Sequence, residues 1–204
     1  MTIQKLVTIS ILALLGGILS GCVPVNDHAM QDQMAQQEAQ EMAAMVDAQR
    51  QAGRVLVAVM TPTAGNKAQG TVTFTGTKGG IQVDANISGL SPGDHAIHIH
   101  QYGDLRKNDG KGTGGHYNPE GHDHALPSTE MRHAGDLGNL SADADGNASY
   151  SITIDNVTLD GTHNPIIGRG VIIHAKVDDG GQPTGNAGAR VSQGVIGYSQ
   201  PSDG

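Results

Sequence analysis

The chain predicts an all-β domain, an antiparallel sandwich or barrel, preceded by a helical or disordered spacer. Three observations predict it. From Arg54 onward, runs rich in Val, Ile and Thr alternate apolar and polar residues, which turns one strand face toward a core. AGNKAQG, TKGG and SPGD separate these runs as turn signals. No helical period intervenes between the strands, and strands spaced in this way argue a sandwich or barrel.

The 204 residues leave room for one domain of ordinary size and an appendage. With no Trp, a single Phe and 30 Gly, the core must come from Val, Ile, Leu and Ala. A formal net charge of −8 disfavours nucleic acid and anionic membrane surfaces, both of which call for a basic patch.

Residues 1–21 read as an export signal. Lys5 supplies the positive start, and the apolar run 6–19 is too short and wrongly flanked to span a membrane. The run ends Leu19-Ser20-Gly21-Cys22, which resembles a bacterial lipobox, where cleavage precedes the cysteine and lipid is added to it. The competing reading is an ordinary signal peptide with an incidental cysteine. A lipidated Cys22 anchors the protein to a membrane without spanning it. Because Cys22 is the only cysteine, no disulfide can form within the monomer. Val23, being no aspartate, resembles the outer-membrane sorting pattern. The expected location is the cell envelope, facing the periplasm, at the outer membrane.

Residues 22–53 form the spacer, rich in Gln, Ala, Met and Glu, which are mostly good helix formers. Met30, Met34, Met42 and Met45 share one side of a helical wheel. They are a soft-ligand stripe for Cu(I) or, in the plainer reading, filler on a weakly amphipathic face. The β domain spans 54–204. Its strands are read at 54–61, 70–77, 80–90, 95–101, 147–154, 168–177 and 194–199. Two irregular stretches, 102–139 and about 178–190, interrupt them. Loops this long need a reason, and here the first folds around metal while the second lies over the site.

The ligands for that metal are six histidines and an aspartate. His98 and His100 stand in HAIHIH, where strand alternation projects both from one face toward a single ion. His116, His124, His133 and Asp136 follow, and His174 comes later in VIIHAK. Neutral imidazole suits zinc and copper, and three His with one carboxylate is a closed tetrahedral zinc set, so the chain offers ligands for two metals. Histidines scattered on solvated loops are the competing reading, which fits His28 and His122.

From about 54 to 199 the chain resembles the copper–zinc superoxide dismutases. The matching segments run in order: GDHAIHIHQYGD, GGHYNP, His124, RHAGDLGNLSADADG, IIGRGVIIHAKVDD and GNAGARVSQGVIG. The resemblance implies a Greek-key β-sandwich or barrel whose two long loops form the metal site. It implies copper at His98, His100, His116 and His174, and zinc at His116, His124, His133 and Asp136, with His116 shared. Asp178 links His98 to His124, Arg190 docks the anion beside the copper, and His95 is structural. The implied activity is dismutation of superoxide to dioxygen and hydrogen peroxide, in which copper turns over because zinc has no redox chemistry. A homodimer is a possible assembly.

Three departures stand out. The family's disulfide positions fall near Gly110 and at Gln193, and neither is cysteine. A lost native bridge typically costs about 2–5 kcal/mol, which metal or dimer contacts must offset. The loop 180–184 is only GGQPT and lacks the steering charges of many members. Ala96 replaces a glycine. Arg106, Lys107 and Lys111 are expected either to guide superoxide in place of that loop or to be an ordinary solvated run. The alternative function is an envelope lipoprotein that binds or buffers copper and zinc with little turnover. The Met stripe and the absent disulfide favour it, while Arg190 and Asp178 oppose it.

Overall fold

The computed structural model describes residues 27–200. The signal segment 1–21 and Cys22 lie outside the described residues. The chain divides into two units, one ending at Gln40 and one beginning at Glu41. In the first, the described residues are helical, with Met30 and Met34 exposed. The second carries the last turns of that helix and all the strands.

Helix α1 runs Asp27–Gln51 through Gln, Ala, Met and Glu, without an internal Gly or Pro to break it. It stops before Gly53, whose φ of 81° is the left-handed conformation that ends many helices. Its last turn is seated on the β domain. Gln51 is buried, and its Oε1 accepts the Leu159 N–H at 2.5 Å. Asp47 accepts from Thr162, and Arg54 grips both oxygens of Asp160 at 2.7 Å. Met42 and Met45 point to solvent. Among the described residues, no helix is long and apolar enough to cross a membrane.

Eight strands follow: β1 Val55–Pro62, β2 Gln69–Thr77, β3 Gly80–Ser88, β4 Gly93–His100, β5 Asp136–Ala142, β6 Ala148–Ile154, β7 Gly170–His174 and β8 Arg190–Tyr198. They pair antiparallel throughout, in the order β5-β4-β7-β8-β1-β2-β3-β6. The two end strands are consecutive in sequence and joined by the turn in which Asp143 and Asn147 exchange a backbone bond. The sheet therefore curls into a nearly closed barrel, which leaves little open edge. β1, β2 and β3 form a meander, after which the chain crosses to β4 on the far side.

Alternation fills the interior as expected. Leu56, Ala58 and Met60 of β1, Val72 and Phe74 of β2, and Ile81, Val83 and Ala85 of β3 are buried, with their neighbours facing out. The outer face of β3 and β6 is polar, where Gln82, Asp84, Ser151 and Thr153 bond to one another. β5 departs from the expectation of an irregular 102–139. Its first residues lie inside that stretch because Gly138, at φ 85°, and a register shift between Ala96 and His98 break the alternation that would have marked it. A short 3-10 turn, Lys111–Thr113, also lies there.

Candidate metal centre

β4 builds the centre. Its last six residues are all buried: Ile97 and Ile99 enter the core, while His98 and His100 take the opposite face beneath the loops. β7 runs antiparallel beside it and ends on His174. β5 opens on Asp136, directly opposite His98, and His116 forms an isolated bridge with His100. Strand register thus delivers four of the seven candidate ligands, and the loop between β4 and β5 delivers His116, His124 and His133.

The first cluster is His98, His100, His116 and His174, all buried, with ligand atoms within 4.8 Å of one another. Each outer histidine has one nitrogen committed to a hydrogen bond. His98 Nε2 lies 2.8 Å from Asp178 Oδ2, His100 Nδ1 3.0 Å from Gly114 O, and His174 Nδ1 3.4 Å from Gly188 O. Those acceptors place the proton on the committed nitrogen and the lone pair on the other. His98 Nδ1, His100 Nε2 and His174 Nε2 are buried without any partner. A buried polar atom left unpaired costs free energy, so three converging on one point fit a bound metal. Burial pushes His98 down to about 4 and His174 to about 3, and it carries His100 well below the usual imidazole value. His98, His100 and His174 are therefore neutral donors at neutral pH.

The second cluster is His116, His124, His133 and Asp136. Asp136 Oδ1 is 2.9 Å from His116 Nδ1 and 3.2 Å from His133 Nδ1, and those two nitrogens are 3.3 Å apart. His124 Nδ1 lies 3.0 Å from Asp136 Oδ2 but makes no hydrogen bond. Ligands about 2.0–2.1 Å from a tetrahedral zinc stand about 3.3 Å apart, so these spacings fit that ion. Here the field is negative. Against the burial that opposes it, the bond from His116 and the close approach of the His124 ring hold Asp136 well below the usual carboxylate range. His124, pulled down by burial, is nonetheless raised to about 9 by Asp136 and Asp178. A divalent cation answers the same field.

His116 belongs to both clusters. Its Nδ1 faces Asp136 and His133, which leaves Nε2 for the first cluster. Asp178 spans them a second time, through Oδ2 to His98 Nε2 and Oδ1 to His124 Nε2 at 2.9 Å. Arg190 opens β8 opposite His174. Its guanidinium donates to Gly110 O, Thr113 Oγ1 and Gly114 O at 2.7, 3.0 and 2.6 Å. Its charge adds to what holds His100 and His174 down.

His95 is buried and bonds the His174 carbonyl at 2.7 Å, so it braces a ligand's backbone. His122 is half-buried and sits 3.2 Å from Arg132 O, outside both clusters. Of the three cations expected to guide an anion, Arg106 pairs with Asp104 at 2.7 Å and Lys111 with Asp109 at 3.4 Å. Lys107 is exposed and forms no salt bridge among the described residues. Sequence reasoning missed Asn139, whose amide bonds the Asp178 backbone twice, and Gln182, which bonds the His124 backbone twice. Side chains that hold distant backbone leave no local signal.

The family model for Copper/zinc superoxide dismutase (SODC) matches residues 68–196. A solved structure described as "Crystal Structure Analysis of the clock protein EA4" is 39% identical, with a TM-score of 0.65. The match covers 72% of this chain and 96% of that one.

Proposed function

Since the chain belongs to the copper/zinc superoxide dismutase family, we propose that it dismutates superoxide, oxidising one molecule to dioxygen and reducing a second, with two protons, to hydrogen peroxide. On this reading His98, His100, His116 and His174 hold copper, and His116, His124, His133 and Asp136 hold zinc. Copper supplies one-electron exchange, and zinc, which has no redox chemistry, supplies charge and position. The chain's own residues do the rest. Arg190, with its guanidinium tied down by three acceptors, presents a fixed cation to an anionic substrate. His116 Nε2 holds and hands over a proton while Nδ1 keeps the ring in place. Asp178 sets the tautomers of His98 and His124 together.

The observation that carries this reading is the sharing of His116 between two buried clusters. His116→Ala should abolish dismutation while leaving part of each metal bound, as measured by rate and elemental analysis. Near-normal activity in that variant rules the shared-ligand reading out.

The protective role belongs to the cell envelope on the same proposal. Cys22, preceded by an export-like apolar run, carries lipid and anchors the domain facing the periplasm, at the outer membrane. Cys22→Ala should shift the protein from the membrane to the soluble fraction. An unmodified Cys22 in mass spectrometry of the processed protein defeats the anchoring.

A further inference from the structure

The loop after Asp178 carries no cation in its GGQPT run, yet it is closely fitted. Gln182 reaches across 58 residues of chain, donates from Nε2 to the His124 carbonyl at 2.6 Å and accepts the His124 N–H on Oε1 at 3.2 Å. One side-chain amide thus meets both polar groups of a ligand's backbone, as a neighbouring strand would. Internal bonds hold the loop in shape. Asp179 N–H donates to Gly185 O, Gly185 N–H to Gly181 O, and Asn186 Nδ2 to the Asp179 carboxylate. At its far end Gly185 lies flat on the bridge, where an added Cβ would stand 2.0 Å from Asp178 Oδ1 and 2.8 Å from His124 Nε2. His124 is therefore held at its backbone by Gln182 and at its ring by Asp178, from two points of one loop.

We infer that Gln182 is a positioning residue for the second cluster, and that the loop 179–186 is a latch that fixes His124 against Asp178. A ligand on a long loop must be ordered before it binds, and partners outside the ligand shell typically change metal affinity by about 10–100-fold. The loop that in longer form would carry charges here spends its residues on zinc retention. This inference rests on the zinc reading of the second cluster but not on dismutation.

The test uses the full chain holding copper and zinc, exposed to excess chelator, with zinc remaining on the protein followed by elemental analysis. Gln182→Ala should lose zinc about tenfold faster than the parent. Gln182→Glu keeps the acceptor but turns the donor to the His124 carbonyl into a repulsive oxygen, and it should also lose zinc faster. Thr184→Ala, an exposed neighbour in the same loop, should match the parent. With cobalt in place of zinc, the visible spectrum of Gln182→Ala should shift, which general loosening of the fold would not produce. Parent-like zinc loss and spectrum in both Gln182 variants, or equal acceleration by Thr184→Ala, overturns the latch. A parent that holds no zinc overturns the reading of the cluster as well, so the two failures are distinguishable.

Discussion

At the scale of single residues, the centre is made by denying side chains any alternative. His98 has one nitrogen on Asp178 and the other buried with nothing to bond, so its lone pair can point only at the first cluster. Gly185 shows the same economy. Its φ of 73° suits glycine, and a methyl group there would occupy the space of an Asp178 oxygen. Gly185→Ala is expected to weaken zinc binding by about 10–100-fold, because Asp178 and His124 must both move. Chelator competition measures it, and unchanged zinc affinity would mean that the bridge tolerates the shift. The gathering of the candidate ligands into two clusters was legible in the sequence. Strand alternation put His98 and His100 on one face, and the ordered spacing of the others resembled one family. Asn139 and Gln182 were not legible, since each acts on backbone far away in the chain, and an amide on a loop says nothing of its target.

At the scale of elements, seven strands were read close to where they lie, because each has a β-rich composition and β1, β2 and β3 add clear alternation. β5 was not, because its two ends serve different purposes. Asp136 belongs to the second cluster, Gly138 takes a left-handed turn, and Leu137, Leu140 and Ala142 face the core. The junction of α1 with the barrel was equally hidden, since it depends on Asp160, a turn residue in a polar stretch. Bonds from Arg54 hold the Asp160 carboxyl below its ordinary value. A carboxylate lowered in the folded state stabilises it at every pH above the unfolded value, about 3.9, and that contribution fades as pH falls through the lowered folded value. Asp160→Asn should therefore be less stable than the parent at pH 7, with the gap closing as pH drops below about 4. Urea midpoints across that range report it. A gap that stays constant down to pH 3 would assign the loss to packing and not to charge.

At the scale of the whole molecule, the balance of charge works against the proposed substrate. A chain of net charge −8 repels superoxide in bulk, and only a local positive field reverses that. Of the three loop cations expected as guides, Arg106 and Lys111 are paired with Asp104 and Asp109, so on the proposed function Lys107 is the one to test beside Arg190. Lys107→Gln should lower the second-order rate of dismutation and flatten its decline above about 0.1 M salt, where the Debye length is about 10 Å, with metal content unchanged. A parent-like rate and salt slope would remove Lys107 from the guide.

The three bonds from the Arg190 guanidinium to Gly110, Thr113 and Gly114 fasten the loop between β4 and β5 to β8. By the family resemblance, the loop cysteine's position falls near Gly110, and Gln193, the other such position, lies three residues beyond Arg190. A hydrogen-bonded cation thus stands where a covalent link would, and the side chain proposed to meet the substrate is the fastening. The domain can reach its folded form without an oxidant, an oxidoreductase partner or a compartment of a given thiol poise. Reducing conditions find no bond in it to cut.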